Sequence, residues 1–481
     1  MITPLSQCLG CFHGKNIGGT LGMPYEGRSG YLELSYYQPV PNSPAPNDDL
    51  DLQIVWLQHV KEYGLAVNSR LLGQAWLDHI DAHPDEYGVA LWNLRRGLQP
   101  PLTGSHNNWF TNGMGAAIRS EIWASLFPGQ PATAAWYAWQ DSQVDHAGDG
   151  IYAEVFLAAM QSRLYQSRDL ADAIAVGLSF LPDDSRLKHA LRSVIATHAE
   201  GVAYAAGRDR AMALWGSHNF ADCIMNLCSI MLGLLYGGGD FERSILAAVN
   251  CGEDTDCTGA TVGATLGILL GEEGIPSRWR RPIGDDLVVG DYIKDLPAPA
   301  TVQELVGDLL ELRHRFAGQD VPALAAPFIP PAVAPFADAH PWRLDGRPFT
   351  AEGLWLPLAR HVPDMAGRSL WLASHLVSPV TRHVQLMVVS PGMFRCYVDG
   401  VHFGVWGAQA PILPAFHRLL GGRVYNLHLQ AGQRHEIRLE ILPTSPTPDV
   451  LVAVGDSANR FLLDITWHDP VRQPAATILA G

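Results

Sequence analysis

Asn250-Cys251-Gly252-Glu253-Asp254-Thr255-Asp256-Cys257-Thr258-Gly259-Ala260 is where the chain declares its architecture. The segment follows one run of apolar residues at helical spacing and opens another, Thr258 to Leu270. Within that second run Gly259, Ala260, Gly263, Ala264 and Gly267 recur. Glycine weakens a helix, so its repeated use points to helices packed closely together. Working outward, Leu71 to Ile80, Ile151 to Tyr165, Leu187 to Tyr204 and Phe220 to Tyr236 carry the same helical period. Strand alternation is scarce before Ala317, so an all-α globular domain is expected over residues 1–318.

The texture changes after that point. Val321 to Pro341 contains Pro322, Pro327, Pro330, Pro331, Pro335 and Pro341, and a linker is expected over 319–341. The period then drops to two: Val384, Leu386 and Val388 alternate with His383, Gln385 and Met387, and Ile437, Leu439 and Ile441 alternate with Arg438 and Glu440. Asp399-Gly400 is a hairpin turn signal, and Ala431-Gly432 separates two further strand-like runs. An accessory antiparallel β-sandwich is therefore expected over 342–481, making the chain multidomain. Trp355, Trp371, Tyr397 and Trp406 lie near its turns, where they either stack on sugar or form ordinary core. A homo-oligomer formed through this domain is a further open option.

The chain has 481 residues, 47% of them apolar, enough for more than one core. Its net charge of -15 disfavours nucleic acid and anionic membranes as partners. No basic-then-apolar leader begins it and no apolar run is long enough to span a bilayer, so a cytoplasmic protein is expected. Seven scattered cysteines argue against a disulfide framework, and Cys8 and Cys11 read as small thiols packed in a helix.

Two acidic clusters carry the chemistry. Beside Glu253–Asp256 stands Pro46-Asn47-Asp48-Asp49-Leu50-Asp51, directly before the helical run Ile54, Val55, Leu57, Val60. Adjacent carboxylates repel unless cations neutralise them. Their hard oxygens suit Mg²⁺, with Mn²⁺ as a substitute. The plain alternative is that Asp48 and Asp49 only cap a helix. Neither cluster has the spacing of an EF-hand.

Over roughly its first 275 residues the chain resembles the ADP-ribosylglycohydrolase superfamily. Four segments carry the resemblance in order: Gly10 to Glu26, Asn47 to Asp51, Asp145-His146-Ala147-Gly148-Asp149-Gly150-Ile151-Tyr152, and Gly252 to Ala260. The resemblance implies a binuclear Mg²⁺ site with Asp48, Asp49, Asp254 and Asp256 as carboxylate ligands. Asn47 stands where the family has a ligating Thr. Cys257 replaces the last Thr or Ser, and a soft thiol suits Mg²⁺ poorly, leaving Thr258 or water to fill the place. Asp51 is a neighbour of the site. Glu26 matches the acidic residue at the metal site or its gate, and Glu26 or Asp49 is expected to accept a proton from the attacking water. His146 is a candidate to contact substrate with Asp145 or Asp149 orienting it, against a structural reading of the same residues. Lys15, on the first helix, is expected to be solvated.

The function these readings favour is a metal-dependent glycoside hydrolase acting on an N- or O-glycosidic bond of a sugar or nucleoside-like small molecule. Two alternatives stand beside it: an ADP-ribosyl hydrolase, and a catalytically silent sugar- or nucleotide-binding protein. Retention of the four aspartates argues against the silent one.

Overall fold

The computed structural model describes residues 2–365, 367–407, 413–416, 418 and 422–470. The chain divides into two compact units. One comprises residues 2–82 and 97–333, and the other joins 83–96 to the segment from 334 onward.

The first unit is helical, and its axis is the pair Pro4–Gly22 and Thr255–Leu270. Thr3 caps the first of these, its hydroxyl accepting from the Ser6 amide at 3.1 Å, and Pro4 occupies the first turn without an amide proton to waste. From Ser6 to Gly22 every residue is buried, so this helix has no solvent face. A helix closed on all sides needs thin walls where it meets its neighbour, and glycine supplies them. A Cβ placed on Gly14 would lie 2.0 Å from the Gly263 carbonyl oxygen, and one on Gly18 would lie 1.9 Å from that of Gly259. Gly10 meets Gly267 and Gly22 meets Thr255 in the same way, which makes the two helices antiparallel and in backbone contact. The contact is reciprocal, since a Cβ on Gly267 would lie 1.9 Å from the Gly10 oxygen.

Gly18→Ala is therefore expected to cost about 3 kcal/mol, the upper end of the overpacking range, because the obstacle is backbone and the helices must part. Gly307, exposed on the Val302–Phe316 helix with open space around it, is the control, and Gly307→Ala should stabilise by about 0.5–1 kcal/mol. Denaturant unfolding of both variants checks the pair; equal tolerance at the two sites would show that the close approach is wrong.

The Pro-rich run does not hang free. Leu324 donates its amide to Ala132 O at 2.9 Å and Phe328 to Phe180 O at 2.8 Å, and the Phe328 ring packs with Ala135, Ile151 and Val155. Half-buried Trp139 packs beside it, its ring tilted and 5.4 Å from that of Phe328. All seven cysteines are buried and free, and no described helix is long and apolar enough to cross a membrane.

The second unit is an antiparallel sheet: β1 (Ala339–Leu344), β2 (Arg347–Glu352), β3 (Trp355–Leu356), β4 (Leu370–Val377), β5 (Arg382–Val389), β6 (Phe394–Val398), β7 (Val401–Trp406), β8 (Gly422–Leu429), β9 (Arg434–Ile441), β10 (Val450–Gly455) and β11 (Thr466–His468). The hydrogen-bonded order is β7-β6-β9-β4-β1-β2-β3-β10-β5-β8, with β11 added on β4. The expected sandwich is thus met only as an antiparallel sheet: the strands follow one path. Its two ends approach each other, Phe403 of β7 lying 5.6 Å from Tyr425 of β8, so the sheet nearly closes like a barrel. Asp399-Gly400 makes the expected hairpin, with Val398 opposite Val401. Ala431-Gly432 does not: β8 pairs with β5, and β9 with β4 and β6. Leu372, Leu386, Phe394, Leu439 and Val452 fill the interior. The helix Asp85–Arg95 belongs to this unit, where Asp85 is ion-paired with Arg418.

Candidate metal centre

Both acidic turns open helices. Asn47 caps Asp48–Tyr63, its side-chain oxygen accepting from the Asp49 amide at 2.8 Å, and Asp254 occupies the cap position of Thr255–Leu270. The glycine contact draws the start of the second helix against the end of the first, where the Thr255 hydroxyl donates to Gly22 O at 2.8 Å. Glu253 sits at φ +67°, and its amide donates to Arg28 O while Gly27 donates back to Glu253 O, both at 2.9 Å. This clasp brings the Glu26 turn to the acidic turn. Asn226 supports it from below, its side-chain oxygen accepting from the Asp254 amide at 3.3 Å.

Two sets of donor atoms converge as a result, each within 4.8 Å of one another: Asp49 with Asp256 and Cys257, and Glu26 with Asp254 and Asp256. Asp256 is common to both. Its Oδ2 accepts from Asn47 Nδ2 at 3.3 Å, which orients the Asn47 amide. Asp49, Asp254 and Asp256 are each at most 3% exposed. Asp49 Oδ2, Asp254 Oδ1 and Asp256 Oδ1 are buried without a hydrogen-bond partner among the described residues.

Burial pushes the Asp49 and Asp256 carboxyls well above the usual carboxylate range and Asp254 to about 7, and the neighbouring carboxylates push the same way. Orphaned buried carboxylate oxygens are an expensive arrangement by themselves, and a hard divalent cation at either donor set would satisfy those within its reach. The donor set fits such an ion. Cys257 is 7% exposed, and burial and the same aspartates raise its thiol well above normal, which makes it a poor partner for a hard ion.

Asp48 stands beside this group, partly exposed on the first turn. Asp51 points elsewhere: its Oδ2 accepts from Gly290 N at 2.9 Å and from the Tyr292 hydroxyl at 2.7 Å, and burial raises it to about 7. The Thr258 hydroxyl donates to Thr255 O at 3.2 Å within its own helix.

Lys15 corrects an expectation. It is not solvated but 1% exposed, with Nζ 3.0 Å from Glu121 Oε2 and 3.5 Å from Asp49 Oδ1. Gln53 and Gln161 complete the support, each donating to the Glu121 carboxylate. The opposite charges hold Lys15 ionised against the cost of burial. The signal for this role was present: Lys15 is the only Asp, Glu, Lys or Arg in its 19-residue helix.

Asp145 and His146 lie apart from these donor sets, wholly closed to solvent. Asp145 takes a bidentate pair from Arg119 at 2.8 and 2.9 Å, and His146 Nδ1 lies 2.9 Å from its Oδ1. The Arg119 guanidinium and His146 hold the Asp145 carboxyl below its ordinary range against the opposing effect of burial. Asp149 opens the helix Asp149–Ser167, and its Oδ1 accepts from Leu187 N at 3.2 Å.

The chain belongs to the ADP-ribosylglycohydrolase family, whose model matches residues 2–315. An uncharacterized protein of Archaeoglobus fulgidus is 25% identical over 307 residues, covering 57% of this chain and 90% of that protein. Among solved structures, an ADP-ribosylglycohydrolase-related protein complex aligns at 18% identity and a TM-score of 0.45, over 65% of this chain and 99% of the other. A beta-glucosidase from Kluyveromyces marxianus in complex with glucose aligns at 14% identity and a TM-score of 0.18, over 43% and 33%. Neither structural likeness is close enough to argue from.

Proposed function

We propose that this chain is a divalent-metal-dependent glycoside hydrolase that cleaves an N- or O-glycosidic bond of a sugar or nucleoside-like substrate. The observation that carries the reading is the set of three buried, unpartnered carboxylate oxygens on Asp49, Asp254 and Asp256, gathered from two helix starts. Asp48, Asp49, Asp254 and Asp256 would hold one or two Mg²⁺ or Mn²⁺ ions, with Asn47 and Glu26 beside them. When bound, such an ion supplies Lewis acidity and an acidified water at the anomeric carbon. Lys15 holds Asp49 at Oδ1, 3.5 Å away, and Oδ2 is left buried without a hydrogen-bond partner among the described residues. Asn47 holds Asp256 through Oδ2 in the same way. Of the two carboxylates expected to accept a proton, Glu26 is exposed and Asp49 is closed, so transfer to solvent runs through Glu26. The density of negative charge favours an oxocarbenium-like transition state over the neutral substrate.

We expect a glycoside other than protein-linked ADP-ribose to be preferred, because Asn47 and Cys257 stand where the resemblance implies hydroxyl ligands. The test is a Mg²⁺- and Mn²⁺-supplemented panel of aryl glycosides, nucleosides, ADP-ribosyl-arginine and ADP-ribosyl-serine, compared by kcat/KM. Turnover should vanish with a chelator and return with the metal. Turnover unaffected by chelation sinks the metal reading. An ADP-ribosyl substrate turned over far better than every other sinks the substrate reading and puts ADP-ribosyl hydrolysis in its place.

A further inference from the structure

A second candidate site lies wholly within the sheet-bearing unit. There a cavity of about 150 Å³ is lined by Trp92 and Arg96 of the Asp85–Arg95 helix end, by His340 of β1, by Phe461 and Leu463, and by Trp467 of β11. Trp92 and Arg96 are one helical turn apart, and the guanidinium stacks 4.4 Å over the indole. Trp92 is 7% exposed, yet among the described residues its Nε1 has no hydrogen-bond partner, and neither has the buried Nη1 of Arg96. Two residues that line one cavity thus each carry a buried N–H donor that calls for an acceptor.

Three features define what would supply them. The size is that of a cavity known to accept a single six-membered ring. The walls are part aliphatic and part aromatic: Leu354 and Ile465 line it too, Phe461 packs 5.5 Å from Trp92, and Trp467 stacks 5.2 Å from Trp342 and 6.4 Å from His340. The charge is already balanced, because Arg96 Nη2 is 2.7 Å from Asp338 Oδ2 and His340 Nε2 lies 3.4 Å from Asp338 Oδ1. A neutralised guanidinium has little left to attract an anion, but its remaining N–H groups still bind hydroxyl oxygens. A ring with apolar C–H faces and hydroxyls on its rim meets all three conditions.

We infer that this cavity binds a single pyranose ring, with hydroxyl oxygens accepting from Trp92 Nε1 and Arg96 Nη1 and a ring face against the aromatic wall. The site shares no residue with the acidic centre, so it stands or falls independently of the proposed hydrolysis.

The test uses the full-length chain and calorimetric or ligand-observed NMR titration with glucose, galactose, mannose and N-acetylglucosamine, with benzoate as the anionic ring of similar size. At least one monosaccharide should bind. Trp92→Phe keeps a ring but removes the donor, and should weaken binding about fivefold. Leu463→Trp, at a 42% exposed lining position, should block the cavity without disturbing the core. Melting curves show that each variant folds, and if one does not the other still decides. Asp256→Ala should bind the sugar as the parent does. Saturable binding of no monosaccharide overturns the proposal. So does sugar binding lost in Asp256→Ala but kept in both cavity variants, or benzoate binding more tightly than every sugar.

Discussion

Asp256→Ala is expected to lower kcat by about a thousandfold or more, the scale of several kcal/mol that a catalytic metal contributes to a transition state. Asp256 is the residue common to both sets of converging donors, and it also orients Asn47. The helical unit should not unfold with it. Burial already disfavours the Asp256 charge, and its carboxylate neighbours add repulsion, so removing it relieves the metal-free protein. The parent should gain thermal stability with added Mg²⁺, because an ion that binds only the folded state stabilises by mass action, and the variant should gain none. Calorimetric Mg²⁺ binding unchanged in Asp256→Ala would remove this residue from the site.

Lys15→Met should produce the largest loss of stability among changes at the site. The side chain is buried, and its ammonium faces Glu121 and Asp49. Removing one partner of a buried pair leaves the other's charge uncompensated, a cost of about 3–5 kcal/mol. The double variant Lys15→Met, Glu121→Gln should recover much of that loss, since it leaves no orphaned charge on Glu121. Denaturant unfolding of the two single variants and the double one measures the coupling. Additive losses would mean that Lys15 does not act through Glu121, and a loss under about 1 kcal/mol would place its ammonium in water after all.

Much of this was legible in the sequence because it is local. The two acidic turns read as helix starts because Asn47 and Asp254 precede apolar runs of helical period, and they do open helices. Gly259, Gly263 and Gly267 announced a close contact, but not its partner. The matching signal, Gly10, Gly14, Gly18 and Gly22, has the same spacing of four, and reading the two stripes together would have paired the helices. What was not legible depends on residues far along the chain. Asp51 looks like a third acid of its cluster until Gly290 and Tyr292 take its oxygen. Asp145 and His146 look poised in a short motif until Arg119 closes over Asp145. Lys15 looks like a solvated flank because a single lysine carries no period. In the sheet, alternation tells which face of a strand is buried, not which strand lies beside it. Hence β8 and β9, joined by a short turn, pair with different neighbours.

The antiparallel glycine contact also dictates an order of events. Gly22 and Thr255 meet across 233 residues of chain. Contacts of such separation form slowly, because loop closure comes before any reward. On a ribosome, the Asn47–Asp49 turn has left the tunnel long before its counterpart at Asp254–Asp256 exists, so the nascent chain holds only half of the acidic donors. The Pro4–Gly22 helix, which the folded protein buries from Ser6 to Gly22, meanwhile has no bed to lie in. During that interval it is an adhesive surface, and chaperone engagement should concentrate on Pro4–Gly22 until the Thr255–Leu270 helix emerges.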